Sequence, residues 1–218
     1  MLREWSGSDT VRFLRVPGAD DDKRSRGVVA LRTGSERYPG AAVLGVEGAW
    51  RAGCGFVRYD GPAAAAVLAR RPETVIGAGG TVGAWVVGSG IDAEQRSLEE
   101  TIALKGIITR GAPVIVIDAG ALDLAPLART ATVLTPHAGE FARLREGLAM
   151  DATAPRDAEE RAAQAVEVAS RLNSTVLLKG AQTIVADADG EVRSVTNAPG
   201  WLAVAGAGDV LAGALGAL

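Results

Sequence analysis

Short apolar runs alternate along this chain with longer stretches in which apolar residues recur every three to four positions. Val28-Val29-Ala30-Leu31, entered from Gly27, is a continuous apolar run of strand length and stops at the turn Thr33-Gly34-Ser35. Behind Tyr38-Pro39-Gly40, the residues Val43, Leu44, Val46 and Trp50 recur at helical spacing from Ala41 up to Gly53. Gly55 to Tyr59 reads as a second strand, so the chain opens with a strand, loop, helix, strand unit. The alternation predicts a helix over Ala63 to Ala69, strands at Glu73 to Ile76 and Ala84 to Val87, and a helix from Asp92, its expected cap, to Arg110. Pro113 to Ile117 is the clearest strand, closed by Asp118. A strand at Ala131 to Leu134, helices at Phe141 to Leu148 and Ala158 to Leu172, and a strand at Thr175 to Leu178 follow. Thr183 to Ala186 and Val192 to Val195 flank Asp187-Ala188-Asp189-Gly190, and Asp-Gly between two strand-like runs predicts a hairpin. Residues 1 to 26 show no such pattern; the charged run Ala19 to Arg26 reads as a solvated surface segment.

Strands alternating with helices predict an α/β fold, a mainly parallel sheet covered on both faces. No second compositional regime and no internal repeat divides the chain. The expected organisation is a polar segment over residues 1–22 and a single domain over 23–218. A net charge of -3 argues against nucleic acid as the main partner, because phosphate backbones attract strongly basic surfaces. Cys54 is the only cysteine, which excludes an intrachain disulfide and fits a reducing cytoplasm. The first ten residues contain Arg3, Glu4 and Asp9 and no apolar core of a signal peptide, and no run is apolar enough to span a bilayer. A cytoplasmic protein with no membrane partner is expected. The last helix barely forms before Leu218, and a helix left bare at a terminus frays. The expectation is therefore that the natural chain continues and that this domain is incomplete at its C-terminal side.

The chemistry concentrates near the end, in Ala205-Gly206-Ala207-Gly208-Asp209-Val210-Leu211-Ala212-Gly213. Small residues run into an acid and then into a helical apolar run. The amides of residues 206 to 209 can point at one spot at the positive end of that helix, which suits a phosphate. Asp209 stands beside it, either as a base that takes a proton from an attacking hydroxyl or simply as an N-cap. Gly34, Gly88 to Gly90, Asp118, Thr135 to Glu140 and Lys179-Gly180 fall at the carboxyl ends of predicted strands. Open parallel sheets bind ligands there, although Gly, Pro and Asp also populate ordinary turns.

Six segments occur in order: Tyr38-Pro39-Gly40-Ala41-Ala42; Gly88-Ser89-Gly90; Ile117-Asp118-Ala119 with Ala121-Leu122; Leu134-Thr135-Pro136-His137-Ala138-Gly139-Glu140-Phe141; Leu177 to Thr183; and Gly206 to Gly213. Together they resemble the NAD(P)H-hydrate dehydratase family, the carbohydrate-kinase-like branch of the ribokinase fold, over about residues 23–218. The resemblance implies a three-layer α/β/α sandwich with a mainly parallel central sheet. It also implies a repair lyase acting on the S epimer of hydrated NADH or NADPH. ADP, or ATP in some members, phosphorylates the C6 hydroxyl, and phosphate then leaves to restore the ring double bond. An Ala- and Arg-rich composition suggests a GC-rich bacterial source, and the resemblance implies ADP for bacterial members.

On this resemblance Asp209 is the catalytic base, and Gly206, Ala207 and Gly208 form the cradle with it. Lys179, Gly180, Ala181, Gln182 and Thr183 bind the nucleotide, with Gly208 also touching AMP. Ala41, Gly90 and His137 contact the hydrated dinucleotide, and Glu140 helps to hold Mg²⁺, through water. Asp118 is a cleft residue of unstated role. His137 can alternatively end a loop, and Glu140 can serve only the dipole of its helix. A homo-oligomer, by family habit a tetramer, and functional pairing with an epimerase are implied as well. The family usually carries Gly-Pro-Gly at Gly88-Ser89-Gly90, so a less rigid loop is expected here, and two glycines before the serine at Thr33-Gly34-Ser35, so less room is expected there. The alternatives are a kinase of the same fold acting on a vitamin-precursor alcohol, and a non-catalytic nucleotide-binding protein.

Overall fold

The computed structural model describes residues 3–77, 79–110 and 112–218. In chain order the elements are β1 (Arg3–Glu4), α1 (Gly7–Val11), β2 (Val28–Arg32), α2 (Pro39–Arg51), β3 (Phe56–Tyr59), α3 (Ala64–Arg70) and β4 (Val75–Ile76). Then come β5 (Ala84–Val87), α4 (Leu98–Arg110), β6 (Val114–Ile117), a 3-10 helix (Ala119–Leu127), β7 (Ala131–Leu134) and α5 (Ala138–Gly147). The chain ends with α6 (Ala158–Leu172), β8 (Thr175–Leu178), β9 (Thr183–Ala186), β10 (Val192–Val195), a 3-10 turn (Gly200–Leu202) and α7 (Ala207–Ala217). Two compact units result: Gly18–Thr132 with Val204–Leu218, and Met1–Pro17 with Val133–Ala203. No helix among the described residues is long and apolar enough to cross a membrane.

In the larger unit the strands run in the order β6-β5-β2-β3-β4, every pair parallel. Their sequences lack polar alternation because strands covered on both faces need apolar residues at every position. Val29, Ala30 and Leu31 on β2, Val86 and Val87 on β5, and Ile115 to Ile117 on β6 are all buried. Pro39 occupies the first turn of α2, where its missing N–H costs nothing. Helix α7 packs along α2 and over β2, β5 and β6. It is helical to Ala217, with Ala212 fully buried. Glycines on both helices explain this burial. A Cβ on Gly213 would stand 1.9 Å from the Gly45 carbonyl oxygen, and one on Gly48 would stand 2.3 Å from that of Val210. The two backbones meet with no side chain between them.

In the smaller unit β7 and β8 are parallel, while β8-β9 and β9-β10 are antiparallel. The hairpin predicted from Asp189-Gly190 is the β9–β10 connection, with Gly190 at φ +87°. Helix α6 has the predicted bounds. Asp157 caps it by accepting from the Glu160 amide at 2.8 Å, and Asn173 ends it in the left-handed region.

Three expectations are corrected. The polar start holds β1, which pairs in parallel with β10, and α1, which Ser6 and Asp9 cap reciprocally. Asp92 does not open α4. It accepts from the Glu94 amide at 3.0 Å in a separate turn, and the helix starts only at Leu98. Arg96 holds that intervening turn to Gly120 and Asp123. Helix α5 begins at Ala138, not Phe141, because His137 caps it.

Candidate functional site

The candidate residues fall into two groups, one in each unit. In the larger unit, Gly206 is the N-cap of α7 at φ +92°, a backbone region that only glycine enters at low cost. A Cβ there would also meet the Leu44 side chain at 2.5 Å. No side chain caps this helix, and Asp209 is its third residue. The reading of Asp209 as an N-cap is thereby overturned. Ala207 donates its amide to the Val204 carbonyl at 3.3 Å, and Val210 donates to Gly206 at 3.1 Å, the first bond of the helix. Gly208 and Asp209 lie in the turn whose amides have no intrahelical acceptor, at the positive end of the dipole. The half-buried Asp209 carboxylate is placed in that turn.

Ala41 lies buried in the first turn of α2, and Gly90 abuts it. With φ +67°, a Cβ on Gly90 would come within 2.4 Å of the Ala41 Cβ, so this pair of substrate candidates is brought together by mutual smallness. Gly34 closes the same corner at φ +75°, where a Cβ would meet that of Ala42 at 2.8 Å. Thr33 beside it is fully buried, in keeping with the reduced room expected of Thr33-Gly34-Ser35.

Ser89 changes the expectation for its loop. Its hydroxyl donates to Asp118 Oδ2 at 2.8 Å, and its carbonyl accepts from the Gly34 amide at 2.7 Å. One fully buried residue thus ties together the ends of β2, β5 and β6. Asp118 precedes the 3-10 helix but makes no cap bond to it; its carboxylate, in a residue only 2 % exposed, receives Ser89 instead. The loop is pinned by this hydrogen bond. Replacing Ser89 by Ala is expected to cost about 1–3 kcal/mol, the usual penalty for removing the partner of a buried polar group, read as a lower urea midpoint at unchanged slope.

In the smaller unit, His137 is the N-cap of α5. Its Nδ1 accepts from the amides of Gly139 at 3.1 Å and Glu140 at 3.3 Å, which places the proton of the neutral ring on Nε2. Glu140 Oε2 accepts from the His137 amide at 2.8 Å, completing a reciprocal box, and Oε1 lies 3.4 Å from His137 Nε2. Lys179 Nζ stands 3.7 Å from Glu140 Oε2. His137 and Glu140 therefore cap α5 together, a role beyond the loop end and the dipole that their plainer readings gave, while the 56 % exposed His137 side chain keeps an open face. Lys179 also donates its amide to the Pro136 carbonyl at 2.8 Å, joining the candidate segment Lys179 to Thr183 to the strand end that carries His137.

Among the described residues no cluster of three or more His, Cys, Asp or Glu side chains could hold a metal. A single carboxylate with one less engaged oxygen, Glu140 Oε1, fits magnesium held through water with phosphate oxygens completing the shell. Cavities of about 670 Å³ beside Trp85, Ile102 and Arg110 and about 540 Å³ beside Arg145 and Glu167 contain none of the candidate residues. Sequence reasoning missed Ser89 as a tie and Arg161 as a partner of the segment around Lys179 to Thr183. Position between two glycines was a usable signal for Ser89. Arg161 carried none, being one arginine on a charged helix.

A parallel α/β core with an acid in the first turn of a glycine-opened helix defines a ribokinase-like α/β protein. Within that class the chain belongs to the NAD(P)H-hydrate dehydratase family, whose profile matches residues 29–218. It is similar to a bifunctional NAD(P)H-hydrate repair enzyme of Mycobacterium tuberculosis, 43 % identical over 225 residues and 98 % of this chain. It spans only 45 % of that relative's length. An ADP-dependent (S)-NAD(P)H-hydrate dehydratase of Xanthomonas campestris is 34 % identical, covering 93 % of this chain and 75 % of the relative. The crystal structure of the ADP/ATP-dependent NAD(P)H-hydrate dehydratase of Bacillus subtilis, obtained with ATP and Mg²⁺, superposes with a TM-score of 0.82 at 28 % identity. That match covers 97 % of this chain and 79 % of the other.

Proposed function

We propose that this protein dehydrates the S epimer of hydrated NADH or NADPH at the expense of ADP, releasing AMP and phosphate. The observation that carries the reading is Asp209 as third residue of a helix that Gly206 opens without a capping side chain. Asp209 takes the proton of the C6 hydroxyl, and that oxygen attacks the terminal phosphorus of ADP. The bond from phosphorus to the bridging oxygen breaks, and AMP leaves. The C6–O bond then breaks with its electron pair on phosphate, the ring nitrogen supplying electrons, and C5 gives up a proton as the double bond returns. The amides of Gly208 and Asp209 face the transferring phosphoryl group with fixed dipoles, which need no reorganisation during reaction. Lys179 to Thr183 bind the nucleotide, and Ala41, Gly90 and His137 contact the dinucleotide. Glu140 would hold magnesium through water, and the bound ion supplies charge neutralisation on the phosphates.

The ADP-dependent dehydratase of Xanthomonas campestris and the ADP/ATP-dependent one of Bacillus subtilis support ADP as co-substrate, with ATP as the alternative. The bifunctional relative, twice as long as the matched region, supports a paired second activity, which we read as an epimerase. We also place the protein in the cytoplasm as a homo-oligomer. The test is to mix protein, ADP, Mg²⁺ and hydrated NADH and follow the reduced-nicotinamide absorbance. Recovery of the band is expected. No recovery with either ADP or ATP overturns the reading, and accumulation of a stable phosphorylated alcohol replaces it with a kinase.

A further inference from the structure

Arg161, the fourth residue of α6, reaches out of its helix into the turn between β8 and β9. Its Nη2 donates to the carbonyls of Lys179 at 2.9 Å and Leu178 at 3.2 Å, and its Nη1 donates to the carbonyl of Gln182. A Cβ on Gly180 would stand 2.7 Å from Nη2, so this glycine is bare on the side from which the guanidinium approaches. Among the described residues its partners are backbone carbonyls, with no carboxylate pairing it. Burial alone moves its pKa, downward, and a guanidinium stays charged regardless. A planar fork with several fixed donors holds three carbonyls at defined angles, which a lysine head cannot do.

In a trans peptide the carbonyl of one residue and the N–H of the next point in opposite directions. Drawing the Leu178 and Lys179 carbonyls toward Arg161 therefore turns the amides of Lys179 and Gly180 the other way. The Lys179 amide is taken by Pro136, which fixes that peptide independently. The Gly180 amide then points to the face of the turn away from the guanidinium. We infer that Arg161 is the positioning residue of the nucleotide turn: it orients the Gly180 peptide to donate to a phosphate of a nucleoside diphosphate and places an unpaired positive charge behind that peptide. The identity of the ligand rests on the reading given under Proposed function.

The experiment titrates ADP with Mg²⁺ into the full chain by calorimetry and measures KM for ADP and for hydrated NADH. Arg161→Gln is expected to weaken ADP on the order of tenfold or more, as loss of charge-assisted bonds does, with KM for hydrated NADH unchanged. Arg161→Lys is expected to fall between, since it keeps the charge and loses the fork. A folded Arg161→Gln protein that binds ADP within about twofold of the wild type overturns the inference, as does a parallel rise in both KM values. Should Arg161→Gln not fold, Gly180→Ala reads the same contact from the other side. Weakened ADP binding is expected there, and unchanged binding overturns the inference. Wild-type protein that binds no ADP overturns the underlying reading and this inference with it.

Discussion

Asp209→Asn is expected to lower the rate of the proposed dehydration by about 10²–10⁴-fold, the usual contribution of a positioned general base, and to leave the fold intact. The substitution keeps the size of the side chain and removes its charge and its capacity to take a proton. Because the N-cap is Gly206, the change removes no N-cap side chain. It does remove an acid from the first turn of α7, whose interaction with the helix dipole alone is worth about 0.3–1 kcal/mol. Stability and rate therefore report different roles. An acid serving only the dipole gives a small drop in melting temperature at full activity; a base gives the same small drop with the activity lost. Single-turnover recovery of the nicotinamide absorbance measures the rate, and thermal unfolding measures the rest. Turnover within about threefold of the wild type would remove Asp209 from the chemistry.

Most of the sheet could be read before any coordinates because β2, β5 and β6 are buried on both faces, and such strands must be apolar throughout. Helix α6 could be bounded because Asp157 and Asn173 are chemically suited to its two ends. The cap of α7 was a different problem. Whether Asp209 is an N-cap or the third helical residue depends on the φ of Gly206, and glycine takes either sign. His137 illustrates the opposite limit: a histidine seldom caps a helix, so its bonds to the Gly139 and Glu140 amides had little local warning. Strand β1 consists of two charged residues at an edge and carries no apolar pattern at all. Arg161 and Gln182 are far apart in sequence, and nothing in periodicity records a contact of that kind.

Gly213→Ala is expected to destabilise the larger unit by about 1–3 kcal/mol or more, although the same exchange inside a helix ordinarily stabilises by nearly 1 kcal/mol. The added Cβ would sit 1.9 Å from the Gly45 oxygen, 2.7 Å from its carbonyl carbon and 2.9 Å from its Cα. These are backbone atoms in the middle of α2 and cannot rotate aside. Tilting toward the sheet gives no relief, since a Cβ on Gly216, one turn on and about 60° around the helix, would already meet Val86 Cγ2 at 2.3 Å. The helix must therefore shift as a body, and Asp209 lies one turn before Gly213 on the same face. Activity falls even where the protein remains folded, because a displacement near 1 Å at a reacting group is enough to cost about 10²-fold. Gly147→Ala, at the exposed end of α5 with nothing within 4 Å of the new Cβ, is the matched control and should be neutral or stabilising. Urea unfolding of the two variants side by side checks the claim. A Gly213→Ala midpoint equal to or above the wild type would mean that α2 and α7 do not meet backbone to backbone.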